Sequence, residues 1–306
     1  MTRNRIAGAA SMALGLGIAA NALLGPLVFG VIKLRESANM ENQLLGGELT
    51  SLLIAAPMAV VGGILWWRGN VLAPFVAIGP AGFALYTYIQ FVLVPDYSRY
   101  SGNNELFFPL YLALVILAWG LIWRAWDALG RRELAPLGAR LSRAIGAMCV
   151  LLGSAFALAW LATIAAQLAG ASTNEYVEHP TAFWLGRLMD LGFVIPLGLL
   201  VGISLLRRTA GADRGAYAFI GTQTLLTCAV AGMAIRMWVR DDPAVTAPLL
   251  IISTAGAAAF ILLYVQTAWT AARAASREAA WSPLRRLGMT DAASSPRRDP
   301  STCEVR

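Results

Sequence analysis

The chain is poor in the residues on which most cofactor sites are built: its 306 residues include one histidine, three cysteines and one lysine. A single histidine excludes bis-histidine haem ligation within the chain. Cys149 and Cys228 lie inside long apolar runs and Cys303 lies in the C-terminal tail, so neither a Cys-x-x-Cys redox pair nor a disulfide framework is expected. Lys33 lies outside the long apolar runs, so a retinal Schiff base inside them is excluded. With no Walker loop either, the sequence predicts no cofactor and no metal ion, and it favours a protein that is not an enzyme.

Charge is scarce as well, at 13% of residues against 58% hydrophobic. The apolar residues are concentrated in eight runs of 18 or more, separated by short polar breaks. About 20 apolar residues rising 1.5 Å each cross the roughly 30 Å core of a bilayer. The sequence therefore predicts an all-α membrane protein, a bundle of eight transmembrane helices. The predicted spans are 6–32, 49–67, 71–94, 106–123, 144–169, 182–206, 216–239 and 245–272.

The basic residues are distributed unevenly along this pattern. With the N-terminus inside, 18 of the 24 basic residues fall on the cytoplasmic side, including five arginines in the stretch 124–143. The positive-inside rule then places both termini in the cytoplasm, which requires an even number of spans. The net charge of +7 is explained by this basic rim, which can rest on anionic lipid headgroups. We therefore expect membrane lipids as partners and no nucleic acid.

A weak internal repeat divides the chain into two parts. An ungapped shift of 139 residues aligns Gly47, Leu49, Pro57, Gly63, Ile64 and Arg68 with Gly186, Leu188, Pro196, Gly202, Ile203 and Arg207. A proline inside a span kinks the helix, and the arginine marks the cytoplasmic exit. The hypothesis is two parallel four-helix repeats; the alternative is convergent membrane composition. The predicted parts are a first half (1–130), a basic cytoplasmic linker (131–143), a second half (144–272) and a basic, largely disordered cytoplasmic tail (273–306).

Polar side chains inside the predicted spans indicate where a ligand could bind. Ionisable groups in a bilayer are costly and usually face the bundle interior or a water-filled cavity. Asp190 is the clearest case, and Arg187 precedes it by one turn, close enough to pair. The hypothesis is a polar cavity open to the outer side; the alternative is a neutralising pair with ordinary interhelical hydrogen bonds, worth about 0.6 kcal/mol each. The candidate ligand-binding residues are Asp190, Arg187, Tyr88, Gln90, Gln167 and Glu48.

Several short motifs resemble those of an uncharacterised bacterial family of multi-pass integral membrane proteins. They are YTYIQ at 86–90, FFPLY at 107–111, DLGFVIP at 190–196 and LRR at 206–208. The chain departs from the usual pattern at Thr87, where the family has asparagine, and at Phe108-Pro109, where it has Phe-Leu. The resemblance covers most of spans two to seven and implies the bacterial plasma membrane, but it brings no activity.

Three functions are compatible with this sequence. The first is an inner-membrane transporter or binder of a small or amphipathic molecule, with hinges at Pro57 and Pro196 and Asp190 carrying a proton or contacting a cationic group. The second is a structural or regulatory subunit that binds a protein partner, with the C-terminal tail as one docking segment. The third is a membrane-embedded enzyme acting on a lipid, in which Asp190 and Glu48 serve as acid and base.

Overall fold

The computed structural model describes residues 2–131, 134–171, 173–242 and 245–286. This part of the chain is helical and contains no β-strand. It includes eight helical runs that are long and apolar enough to cross a membrane, so the predicted fold class is confirmed. The end of the tail, for which disorder was predicted, lies outside the described residues.

Eleven α-helices make up these eight runs and their connections. They are α1 (Thr2–Leu24), α2 (Ala38–Thr50), α3 (Ala56–Trp67), α4 (Ala73–Leu93), α5 (Phe108–Arg131), α6 (Ala139–Leu168), α7 (Asn174–Glu178), α8 (Pro180–Met189), α9 (Ile195–Arg207), α10 (Ala212–Val239) and α11 (Ala247–Arg286). A 3₁₀ turn, Asn104–Phe107, precedes α5. Two π-helical turns, Ser51–Ala55 and Asp190–Val194, join α2 to α3 and α8 to α9.

Two boundaries differ clearly from the prediction. The first helix ends at Leu24 rather than residue 32, because Pro26 disfavours the helical conformation at Gly25. The Gly30 N–H then bonds to the Gly25 carbonyl, which closes a turn. The second helix begins near residue 38 rather than 49. Its N-cap is Ser37, whose hydroxyl accepts a hydrogen bond from the Met40 N–H. Polar residues fill its first two turns, which is why hydropathy alone missed them.

Each π-turn lies directly before a proline. In the first, the Ala56 N–H bonds to the Ser51 carbonyl five residues back, and Pro57 follows. In the second, the Ile195 N–H bonds to the Asp190 carbonyl, and Pro196 follows. A proline ring clashes with the carbonyl four residues before it, and a wider turn relieves that clash. The irregular turns therefore occur at the two prolines where the sequence predicted kinks.

The centre of the bundle is formed by α4 and α10. Half of the residues in the apolar windows of these two helices are buried, against 17% in those of α6 and α11. The two central helices approach closely, since a Cβ placed on Gly79 would lie 3.0 Å from the Gly221 Cα. Around this centre, α1 packs on α3 and α6 packs on α9. Much of the apolar surface of α6 and α11 is therefore left exposed.

Glycines set the closest of these outer contacts. A Cβ on Gly63 would lie 2.7 Å from the Gly8 carbonyl oxygen, and a Cβ on Gly202 would lie 2.9 Å from that of Gly146. Small residues at such positions allow membrane helices to pack backbone to backbone.

Because eight crossings alternate in direction, the loops fall at two ends of the bundle. The end bearing the N-terminus and residues 68–72, 134–138 and 208–211 is called here the arginine-rich end. The opposite end carries residues 25–37, 94–103, 169–171, 173–179, 240–242 and 245–246 and is called the acidic end.

Candidate functional site

A cavity of about 1160 Å³ enters the bundle between the two halves of the chain. Its walls come from α2, α4, α6, α8, α9, α10 and α11. It begins at the acidic end, beside the loop residue Tyr100 and Glu178 of α7, and reaches as far as Phe219 and Gln223 on α10. The helix rise of 1.5 Å per residue makes the path from Arg240 to Gln223 about 25 Å long. This length approaches the roughly 30 Å thickness of a bilayer core.

The cavity is polar near the acidic end and apolar at depth. The charged residues on its wall are Glu48, Glu175, Glu178, Asp190, Asp241, Asp242, Arg187 and Arg240. Six acids face two arginines, so this region attracts positive charge. The deeper wall is apolar and aromatic, and it includes Phe83, Phe156, Phe219, Leu226, Val230 and Phe260. The space therefore suits a molecule with a cationic head and an apolar body.

Asp190 is held between two aromatic donors where the polar and apolar regions meet. Its Oδ1 accepts a 2.8 Å hydrogen bond from the Tyr86 hydroxyl, and its Oδ2 accepts a 2.8 Å bond from the Trp160 indole N–H. Tyr86 belongs to α4 and Trp160 to α6, so three helices fix one carboxylate. Each oxygen carries one neutral donor and keeps a lone pair for a further partner.

Arg187 does not take Asp190 as its ion-pair partner. Its two terminal nitrogens donate to the Glu175 carboxylate at 2.8 and 2.9 Å, a bidentate arrangement. The guanidinium also lies 3.5 Å from the Phe183 ring centroid and 4.4 Å from that of Trp160. The predicted pairing one turn apart is therefore wrong, because Asp190 turns toward Tyr86 and Trp160 while α7 presents Glu175 to Arg187.

The structure brings some of the other predicted residues to the cavity and not others. Gln90 and Glu48 lie on the wall. Tyr88 is fully buried behind it and stacks on Tyr111 with ring centroids 6.0 Å apart. Gln167 is not among the wall residues, and its buried Oε1 has no partner in the described part of the chain.

Tyr86 and Trp160 are the residues that the sequence reasoning did not select. Positions 86 and 88 are about 200° apart around a helix, so only one of the two tyrosines can face the cavity. Nothing in the sequence indicates which one. Trp160 lies in an apolar run, where a tryptophan is expected to contact lipid or to lie at the membrane interface.

The chain matches no protein-family model, curated protein or solved structure with which it was compared. A function must therefore be argued from the cavity itself.

Beside the cavity mouth, His179 joins the loop after α1 to the segment before α8. Its Nε2 accepts the Ser37 N–H at 2.9 Å and faces a Glu36 carboxyl oxygen at 3.5 Å. The Tyr100 ring stacks on the imidazole at 5.2 Å. Burial, together with the nearby charge of Asp96, raises the pKa of Glu36 to about 8, and burial lowers the pKa of His179. The other charged groups near His179 are Asp96, Glu178 and Arg99.

This arrangement predicts how stability depends on pH. Glu36 stays protonated in the folded protein up to about pH 8, whereas an ordinary carboxyl ionises near 4.5. Its contribution to folding is therefore complete below pH 4.5 and is lost as the pH rises toward 8. Glu36→Gln imitates the protonated form. We expect its melting temperature to match the wild type below this window and to exceed it above pH 8, as measured by thermal unfolding in detergent. A difference that stays constant with pH would contradict the assignment.

Proposed function

We propose that this protein is an inner-membrane binder or transporter of an amphipathic organic cation. The observation that carries the proposal is Asp190, fixed by Tyr86 and Trp160 at the boundary between a carboxylate-rich mouth and an aromatic interior. A cationic head group would lie against Asp190, and its apolar body would occupy the deeper cavity. The volume of about 1160 Å³ is somewhat larger than the roughly 300–1000 Å³ of typical small-molecule pockets.

Aromatic groups around the carboxylate favour an organic cation over a small inorganic one. The faces of tryptophan and tyrosine attract ammonium groups by about 0.5–2 kcal/mol, more when water is excluded. Trp160 already carries the Arg187 guanidinium 4.4 Å from its ring centroid, so this part of the protein accommodates cations against aromatic rings. Both hydrogen-bond donors to Asp190 are neutral, and no ion pair joins it to a basic side chain among the described residues, so a cationic ligand would supply the missing charge partner.

The proposal includes an orientation. The acidic end faces the outside and both termini lie in the cytoplasm, as the distribution of arginines favours. The cavity would then load from the outer side in the bacterial plasma membrane.

The proposal also includes a repeat of four helices in each half. Three features 139 residues apart support it: the π-turns, the prolines that follow them, and the packing glycines Gly63 and Gly202. The α1–α3 contact then corresponds to the α6–α9 contact. Two such halves flanking a central cavity could rock against each other, as in repeat-built transporters.

The direct test is binding of a fluorescent long-chain quaternary ammonium compound to the purified protein in mild detergent. We expect Asp190→Asn to weaken binding about tenfold, the equivalent of about 1.4 kcal/mol, because it removes the charge and keeps the size. Asp241→Asn is the matched control. Asp241 is an exposed wall residue near the mouth, where salt screens its charge, so little change is expected.

Native mass spectrometry of the same preparations distinguishes the alternatives. A discrete bound molecule that is lost in Asp190→Asn supports the proposal and identifies the ligand class. Equal probe binding by the wild type and Asp190→Asn would contradict it. A stoichiometric second polypeptide without any bound small molecule would favour the subunit function instead.

A further inference from the structure

A second polar cluster extends from the cavity wall into the bundle and is centred on Glu48 of α2. Glu48 is only 3% exposed, and it lies in a helical run that is long and apolar enough to cross a membrane. Its Oε2 accepts a 3.1 Å hydrogen bond from the Asn21 amide of α1. Its Oε1 is buried and has no hydrogen-bond partner among the described residues.

Three more buried oxygens of this cluster lack a partner within the described part of the chain. They are Asn21 Oδ1 and the hydroxyl oxygens of Tyr88 and Tyr111. The two tyrosines stack on each other, and both lie within electrostatic range of Glu48. Asn21, Tyr88 and Tyr111 are each no more than 1% exposed. Four helices, α1, α2, α4 and α5, thus direct unpartnered oxygens into one buried region.

Glu48 also lacks a positive partner. Among the described residues, no ion pair joins it to an arginine, a lysine or the histidine. An isolated buried carboxylate is very costly, and proteins normally neutralise such a group by pairing or protonation. A buried water molecule could satisfy the free oxygens, but it would leave the charge in place.

We propose that Glu48, Asn21, Tyr88 and Tyr111 form a buried site for one monovalent cation, either a proton or a sodium ion. Either occupant removes the net charge of the carboxylate. A proton would convert Glu48 to a neutral O–H group that can donate to a neighbouring oxygen, whereas a sodium ion would be coordinated by the same oxygens. A single carboxylate favours a monovalent ion, because Ca²⁺ sites use several charged oxygens. Glu48 also lies on the cavity wall, which gives the ion a route from the acidic end. The site does not require the organic ligand to bind at Asp190.

The test is the melting temperature of the purified protein in detergent, with Na⁺ exchanged for K⁺ at constant ionic strength and across a range of pH. The pH series uses the Glu36→Gln background, so that the pair at the cavity mouth does not contribute. If sodium is the occupant, Na⁺ stabilises the protein saturably at alkaline pH. If the proton is the occupant, stability falls with rising pH and is indifferent to Na⁺.

In either case, Glu48→Gln is expected to abolish the dependence. Glu41→Gln, the same change on the same helix, is expected to keep it. Tyr111→Phe preserves the ring and removes one oxygen, and it should shift the midpoint by about tenfold in cation concentration. The Tyr111→Phe variant keeps the test decisive if Glu48→Gln does not fold. The proposal is overturned if the melting temperature depends on neither Na⁺ nor pH. It is also overturned if that dependence is the same in the Glu48, Tyr111 and Glu41 variants.

Discussion

Replacement of Gly46 by alanine is expected to lower the free energy of unfolding by about 3 kcal/mol, the upper part of the usual range for overpacking. A Cβ at this position would lie 2.5 Å from the Gly232 carbonyl oxygen and 2.5 Å from the Met233 nitrogen. Both atoms belong to the backbone of α10, a central helix that cannot move away without losing its other contacts. Titration with a denaturing detergent in mixed micelles measures the loss.

Gly120→Ala provides the matched control. Gly120 lies within α5, and a Cβ there would meet nothing within 4 Å. Because alanine is the better helix former by roughly 0.5–1 kcal/mol, this variant should be unchanged or slightly more stable. If the two variants behaved alike, α2 and α10 could not be packed as closely as described.

Loss of Glu175 is the second change for which a large effect is expected. Arg187 is buried, with a side chain 4% exposed, whereas the Glu175 side chain is 40% exposed. Glu175→Ala would leave a buried guanidinium without its bidentate partner, at a cost of about 3 kcal/mol. Arg187→Met would instead leave a carboxylate that water can reach, so its cost should be smaller. The prediction is therefore that removing the more exposed partner does more damage.

A double-mutant cycle measures this asymmetry. The double variant Glu175→Ala/Arg187→Met should be about as stable as Arg187→Met alone, because the second change adds nothing once the guanidinium is gone. Additive losses would mean that the two side chains act independently. Unfolding of the wild type, the two single variants and the double variant in detergent distinguishes coupled from additive losses of stability.

The sequence predicted the number and type of the membrane-length helices because long apolar runs carry that signal in every residue. The sequence predicted helix ends poorly where they depend on a few local polar residues. The first two turns of α2 are helical through their Ser37 cap and their contacts with α10, although hydropathy favours a loop. The early end of α1 at Gly25 was obscured by the apolar residues that follow it.

Within the candidate site, single residues were easier to predict than their partners. Asp190 was selected because a carboxylate in an apolar run is rare. Its donors lie 104 and 30 residues away in the sequence, and helix packing alone brings them together. The pairing of Arg187 with Glu175 depends in the same way on how α7 folds over α8.

The two π-turns each hold one residue more than a regular turn would need. One extra residue rotates everything on one side of it by about 100° relative to the other side. Deletion of a single residue from 191–194 would therefore rotate α8 relative to α9 and turn Arg187 away from the Trp160 ring of α6, while every residue of α8 remains in the sequence. The chemistry of the cavity thus depends on the length of this helix as much as on its composition, and a variant that preserves all the polar residues could still lose the site.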